Sequence, residues 1–135
     1  MKTSITEIIK LIKEQAKLKK IRIKTVFNNF HKCRMYYFDK SRLQQVLLNL
    51  LSNGVKFSHQ NSKLNVIAEL ENKDNEEWLV KISVLDQGIG ITKEDQKQLF
   101  TPYHKSVDVN SQRHNPNGNG LGLYMCKCIC NAAGG

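Results

Sequence analysis

The chain has 135 residues, 40% of them hydrophobic, which suffices for one globular domain with a single core and falls short of two. Twenty-one Lys and Arg against twelve Asp and Glu leave a formal charge of +9, suited to an anionic partner without choosing among nucleic acid, membrane surface and nucleotide. No apolar run approaches membrane-spanning length and no cleavable signal shape is present, which excludes a spanning helix within this stretch and makes the segment read as soluble.

Ser4-Ile5-Thr6-Glu7 has the form of a capping box, and Ile5, Ile8, Ile9, Ile12 and Ala16 follow at helical spacing. A first amphipathic helix is predicted up to about Lys20, with Lys10, Lys13, Lys17, Lys19 and Lys20 as its solvated face. Ile21, Ile23 and Thr25 then alternate with Arg22 and Lys24, and a short aromatic run over Met35 to Phe38 suggests a second strand pairing with the first.

Asp39 is the expected N-cap of a helix over roughly Lys40 to Phe57. A turn of about 100° per residue sorts that helix into two stripes. Leu43, Val46, Leu47, Leu50 and Leu51 form the core face, while Arg42, Gln45, Asn49, Asn53 and Lys56 share a neighbouring polar strip. Leu64 to Leu70 and Trp78 to Leu85 read as strands joined by an acidic, Asn-rich turn over Glu71 to Glu77. Thr92 with Asp95 can cap a short helix ending near Phe100, and the polar stretch on to Asn117 reads as a mobile loop. A last helix follows Gly118 to Gly122. Its Cys126, Cys128 and Cys130 show no zinc-binding spacing and are expected to be buried, reduced thiols of a cytosolic protein.

Three places carry candidate chemistry, each with a plainer alternative. Gly118, Gly120 and Gly122 let backbone amides approach an anion at a helix start, although a Gly-rich turn can also be only a turn. The spacing is neither a P-loop nor a dinucleotide fingerprint. Asp86 ends a hydrophobic strand before Gly88 and Gly90, so its carboxylate could accept a hydrogen bond from a planar ligand such as adenine, or simply close an Asx turn. Asn49 and Asn53, one turn apart, offer neutral oxygens suited to Mg²⁺, with Lys56 as a point charge for phosphate; taken alone, the pair reads more readily as two helix-surface amides.

The ordered succession Asn49-Leu50-Leu51-Ser52-Asn53-Gly54-Val55-Lys56-Phe57-Ser58, Asp86-Gln87-Gly88-Ile89-Gly90-Ile91, Leu99-Phe100-Thr101-Pro102-Tyr103 and Gly118-Asn119-Gly120-Leu121-Gly122-Leu123 resembles the N, G1, F and G2 boxes of histidine kinase catalytic domains. The resemblance implies an α+β fold, the two-layer α/β sandwich of the GHKL (Bergerat) ATP-binding proteins, with helices on one face of a mixed sheet. Residues 1–135 would form one such domain, lacking the two C-terminal strands that usually complete the sheet. A fragment or a degenerate copy with an unpaired sheet edge is the expectation.

By the same resemblance the cofactors are ATP and Mg²⁺. Asn53 would hold the metal, Asn49 would lie beside the γ-phosphate, and Lys56 and Lys105 would meet phosphate. Phe57 would stack near adenine, Asp86 would bind its amino group, and Gly88, Gly90, Ile91, Tyr103 and Leu121 would complete the nucleotide contacts. Residues 91–117 would form a lid, hinged by Gly118, Gly120 and Gly122. Related ATPases carry a Glu as general base where Asn49 stands, and an amide cannot take a proton at neutral pH, which favours phosphotransfer over hydrolysis.

No His lies in residues 1–20, and His31, His59, His104 and His114 read as ordinary surface or loop residues. The phosphoacceptor would therefore sit on a separate or missing dimerisation hairpin, with a response-regulator receiver domain as a further partner. A second reading is a catalytically inactive nucleotide-binding interaction module, separated from the first by whether phosphohistidine forms. Nucleic-acid binding rests on charge alone, without an aromatic platform or reading helix, and no membrane contact is expected of this segment.

Overall fold

The computed structural model describes residues 1–30, 38–74, 77–104 and 119–135. Its elements run α1 (Lys2–Leu18), β1 (Arg22–Asn28), α2 (Lys40–Phe57), β2 (Lys63–Asp74), β3 (Glu77–Leu85), α3 (Lys93–Gln98) and α4 (Gly122–Ala132). The strands form one mixed sheet in the order β1-β2-β3, with β1 parallel and β3 antiparallel to β2. A parallel pair needs a long crossover, and α2 lies within the one between β1 and β2.

One face of the sheet carries the core. Leu64, Val66, Ala68 and Leu70 are buried at alternate positions of β2, as the period of a strand requires. Trp78, Val80, Ile82 and Val84 of β3 pack against the same cluster. Ile5, Ile8, Ile12 and Ala16 of α1 and Leu47, Leu51 and Val55 of α2 close it from above. Burying each large aliphatic side chain contributes roughly 1.5–3 kcal/mol. Gly54 lets α2 approach the sheet, since a Cβ there would meet Leu64 Cδ1 at 2.7 Å. The expected sandwich, with helices on one face of a mixed sheet, is the architecture found. Among the described residues β3 pairs only with β2, and its Leu79 and Leu85 are exposed.

Local signals account for the element ends. The Asp39 side chain accepts from Arg42 N–H at 3.0 Å and Thr92 Oγ1 accepts from Asp95 N–H at 3.1 Å, so both expected caps form. The Ser4 capping box does not form: α1 starts at Lys2 after Met1 with no side-chain cap, and Ser4 is buried. Ser4 precedes Ile8 and Ile12 at helical spacing, so it lies on the buried stripe and inside the helix. The acidic segment after Leu70 also differs from expectation, because β2 continues to Asp74 and β3 begins at Glu77. Of the aromatic run expected to pair with β1, residues 35–37 lie outside the described residues, and Phe38 belongs to no strand.

Helix α1 ends in a Schellman motif. Ile21 N–H donates to Ala16 O at 2.8 Å and Lys20 N–H to Lys17 O at 2.9 Å, while Lys20 takes a left-handed φ of 54°. The reversal leaves Lys19 at the C-cap, directed back over the end of α2.

Candidate nucleotide-binding site

The polar strip of α2 is the spine of the site. Asn49, Asn53 and Lys56 are half-buried, whereas Arg42 and Gln45, one to two turns earlier, are exposed. Asn49 Nδ2 donates to the Cys126 sulfur of α4 at 3.2 Å. Gly122, the first residue of α4, lies so close that a Cβ there would collide with Asn49 Oδ1. The start of the glycine-rich helix is therefore pressed onto the first asparagine of the strip. Burial pushes the Cys126 thiol above its ordinary range, against the opposing pull of the Asn49 hydrogen bond.

At the other end of α2, Ser58 and Gly88 form an isolated antiparallel bridge, and Ile89 N–H donates to Phe57 O at 3.3 Å. A side chain at position 88 would strike Phe57 O, so only glycine permits the approach. Asp86 Oδ1 accepts from Gly88 N–H at 2.9 Å. This is the Asx turn offered as the plainer alternative, and it fixes the orientation of an exposed carboxylate beside the C-terminus of α2. The Lys56 ammonium lies 5.9 Å from the Phe57 ring centroid, and partial desolvation lowers its pKa below the usual lysine value.

The described stretches on either side of residues 105–118 also meet. Gly120, at φ +66°, lies against the backbone of the Tyr103–His104 pair, where a Cβ would come within 2.6 Å of His104 O. Lys127 of α4 reaches the Phe100 ring at 6.0 Å. His104, expected to be an ordinary surface or loop residue, lies outside any helix or strand and is half-buried, with Nε2 3.4 Å from Asp95 Oδ1, a close approach not aligned as a hydrogen bond. Gly90 has open space around it, Ile91 and Tyr103 are exposed, and Leu121 is half-buried ahead of α4. Lys105 and Gly118 lie outside the described residues, as do residues 106–117 of the expected lid, His31 and Cys33.

The structure thus joins Asn49 to Gly122 and, separately, Phe57 to Gly88 and Ile89, the Gly88 amide in turn bonded to Asp86, with Asn49 and Phe57 on one helix. Asn53 and Lys56 lie between these contacts and line a cleft of about 520 Å³ with Gln15, Leu18 and Lys19 of α1, Ser52 and Val55. Asn49, Asp86, Gly88 and Gly122 do not line this cleft, which lies on the α1 side of the strip; that α1 borders the strip, and the role of Lys19, escaped the sequence reading. Lys10, Lys13, Lys17 and Lys20 are exposed as expected, but Lys19 is half-buried. The available signal was its position three residues after Ala16, where the buried stripe of α1 continues. The cysteines also divide: Cys126 is buried, Cys128 is exposed on the opposite side of α4, and Cys130, one turn beyond Cys126 on the same side, is exposed as well. Among the described residues no group of three metal-ligating side chains occurs, and no helix is long and apolar enough to cross a membrane.

With this geometry in place, comparison with known proteins identifies the class. The family model "Histidine kinase-, DNA gyrase B-, and HSP90-like ATPase" matches residues 38–135, and the chain belongs to that family. Within it the chain is a catalytic domain of the histidine kinase branch.

It is 38% identical over 97 residues to hybrid signal transduction histidine kinase B of Dictyostelium discoideum, covering 72% of this chain and 5% of that protein. It is 34% identical over 80 residues to the histidine-protein kinase BarA of Escherichia coli, covering 59% and 9% respectively. The chain therefore spans a tenth or less of these relatives. In fold it is similar to the catalytic domain of histidine kinase ThkA, with a TM-score of 0.74 at 24% identity over 98% of this chain and 77% of that one. Full-length ShkA in complex with AMPPNP is also similar, with a TM-score of 0.68 at 24% identity, covering 98% of this chain and 25% of that one.

Proposed function

We propose that this chain binds Mg-ATP as the catalytic domain of a cytoplasmic sensor histidine kinase and supports transfer of the γ-phosphate to a histidine on a separate dimerisation hairpin. The observation that carries the reading is the state of Asn49: its Nδ2 is given to Cys126 and its Oδ1 faces Gly122. A carboxamide so held orients a ligand and takes no proton from water at neutral pH.

The residues present suit both groups. Bare backbone at Gly88 and Gly90 beside the oriented Asp86 carboxylate offers a flat surface and an acceptor for an adenine amino group. Phe57, whose carbonyl meets this surface, is proposed to stack its ring near adenine, and the start of α4 supplies amides and a favourable dipole for phosphate. Asn53 offers a neutral oxygen suited to Mg²⁺, and Lys56, partly desolvated, gains from meeting an anion. Lys105 is proposed as a further phosphate contact. When bound, Mg-ATP supplies the phosphoryl group, with the metal neutralising its charge. This chain's residues hold and orient it, and positioning is the main task in phosphoryl transfer. A receiver domain is the proposed acceptor downstream of the hairpin.

The chain incubated with Mg-ATP should bind nucleotide and hydrolyse it negligibly. Acid-labile phosphohistidine should form only after a histidine kinase dimerisation hairpin is added. Sustained ATP turnover by the chain alone, or binding without transfer to any hairpin, contradicts the kinase reading.

A further inference from the structure

An α-helix leaves its last four carbonyls without intrahelical partners, and at the end of α2 all four are accounted for. The C-cap Ser58 N–H makes the last intrahelical bond, to Gly54 O at 3.2 Å, which leaves the carbonyls of Val55, Lys56, Phe57 and Ser58, and Ile89 N–H takes Phe57 O at 3.3 Å. The remaining three, Val55 O at 3.1 Å, Lys56 O and Ser58 O at 3.4 Å, are held by the Lys19 ammonium. Lys19 itself is fixed by the Schellman turn behind it. Its own carbonyl accepts from Asn61 N–H at 3.0 Å, and Arg22 N–H donates to Ser62 O at 3.0 Å, so the α1–β1 turn is stitched to the loop that follows α2.

We propose that Lys19 is a positioning residue for nucleotide binding: by clamping the last turn of α2 from the α1 side, it holds Phe57 O where the Asp86–Ile89 loop can dock. A cation among helix C-terminal carbonyls is electrostatically favourable, and its hydrogen bonds are charge-assisted. Without it three carbonyls lose this partner and the last turn is free to unwind. Phe57 O is then no longer held where Gly88 and Ile89 approach it, and the Asp86 carboxylate loses its fixed place beside α2. The clamp comes from residues before position 38, outside the stretch that matches the family.

The proposal deepens the nucleotide reading and rests on it, so its test has two arms. Lys19→Met keeps the stem and removes the charge; Lys13→Met, on an exposed lysine of the same helix, is the control. In the first arm, binding of a fluorescent ATP analogue with Mg²⁺ should weaken roughly tenfold in Lys19→Met, stay at wild-type level in Lys13→Met, and return to within about threefold in Lys19→Arg. In the second arm, on ligand-free protein, the amides of Ile89 and His59, which donate to Phe57 O and Gln87 O, should exchange faster in Lys19→Met while amides of the β2–β3 ladder keep their protection.

Unchanged affinity in folded Lys19→Met, or a uniform rise in exchange across the domain, overturns the proposal and leaves Lys19 a general stabiliser. Should Lys19→Met fail to fold, Lys19→Arg decides: slowed exchange at Ile89 relative to Lys19→Gln supports the clamp, and equal exchange overturns it. A wild-type chain that binds no nucleotide removes the functional half along with the reading beneath it, and the exchange arm alone then upholds or rejects the clamp.

Discussion

Asn49 and Cys126, 77 positions apart in the chain, are joined by a 3.2 Å hydrogen bond that locks the polar strip of α2 to the helix behind the glycine-rich loop. Gly122 makes the approach possible, because any side chain there would occupy the space of the Asn49 carboxamide. Gly122→Ala should therefore separate α4 from α2, costing about 1–3 kcal/mol as an overpacking substitution. Chemical unfolding measures that loss, and nucleotide binding should fall with it. A variant of wild-type stability would show that the contact yields easily.

The same pair predicts a pH effect. Burial raises the Cys126 thiol pKa from its ordinary 9.0, so between that value and the raised one the folded chain holds a proton that the unfolded chain releases. Its contribution to stability is full below about pH 9 and is lost as pH rises through the folded value. Urea unfolding at about pH 8 and about pH 10 should show a larger alkaline loss in wild type than in Cys126→Ala. Equal losses would contradict the assignment.

The core is expected to respond in the usual way to truncation. Leu51 is fully buried between the sheet and α1, on the helix that also carries the site strip. Leu51→Ala should cost about 2–5 kcal/mol and lower the thermal midpoint by well over the effect of Gly122→Ala. A loss under about 1 kcal/mol would mean that the packing of α2 on the sheet is looser than described.

Much of this was legible in the sequence because the signals are local. Asp39 and Thr92 cap their helices through bonds spanning three residues, and the Asn49–Asn53–Lys56 strip follows from helical pitch alone. The strands of the hairpin could be placed from alternation, but their ends could not, since pairing carries them into polar residues that have no strand signature of their own. What the sequence concealed depends on contacts between distant segments. Ser4 looked like a cap because nothing nearby reveals that α1 begins a turn earlier. Lys19 looked solvated because a lysine on a buried stripe makes sense only once the carbonyl end of α2 is seen above it. The exposure of Cys128 depends likewise on which side of α4 faces α2.

The central claim, that the α2 strip and the Asp86 turn serve one nucleotide, is tested most directly by titrating the chain and its Asp86→Ala variant with a fluorescent ATP analogue, with and without Mg²⁺. Saturable binding that strengthens with Mg²⁺ and drops roughly tenfold or more in the variant is the predicted result. Binding that is indifferent to both the metal and Asp86, or no binding by a folded wild-type chain, would contradict it.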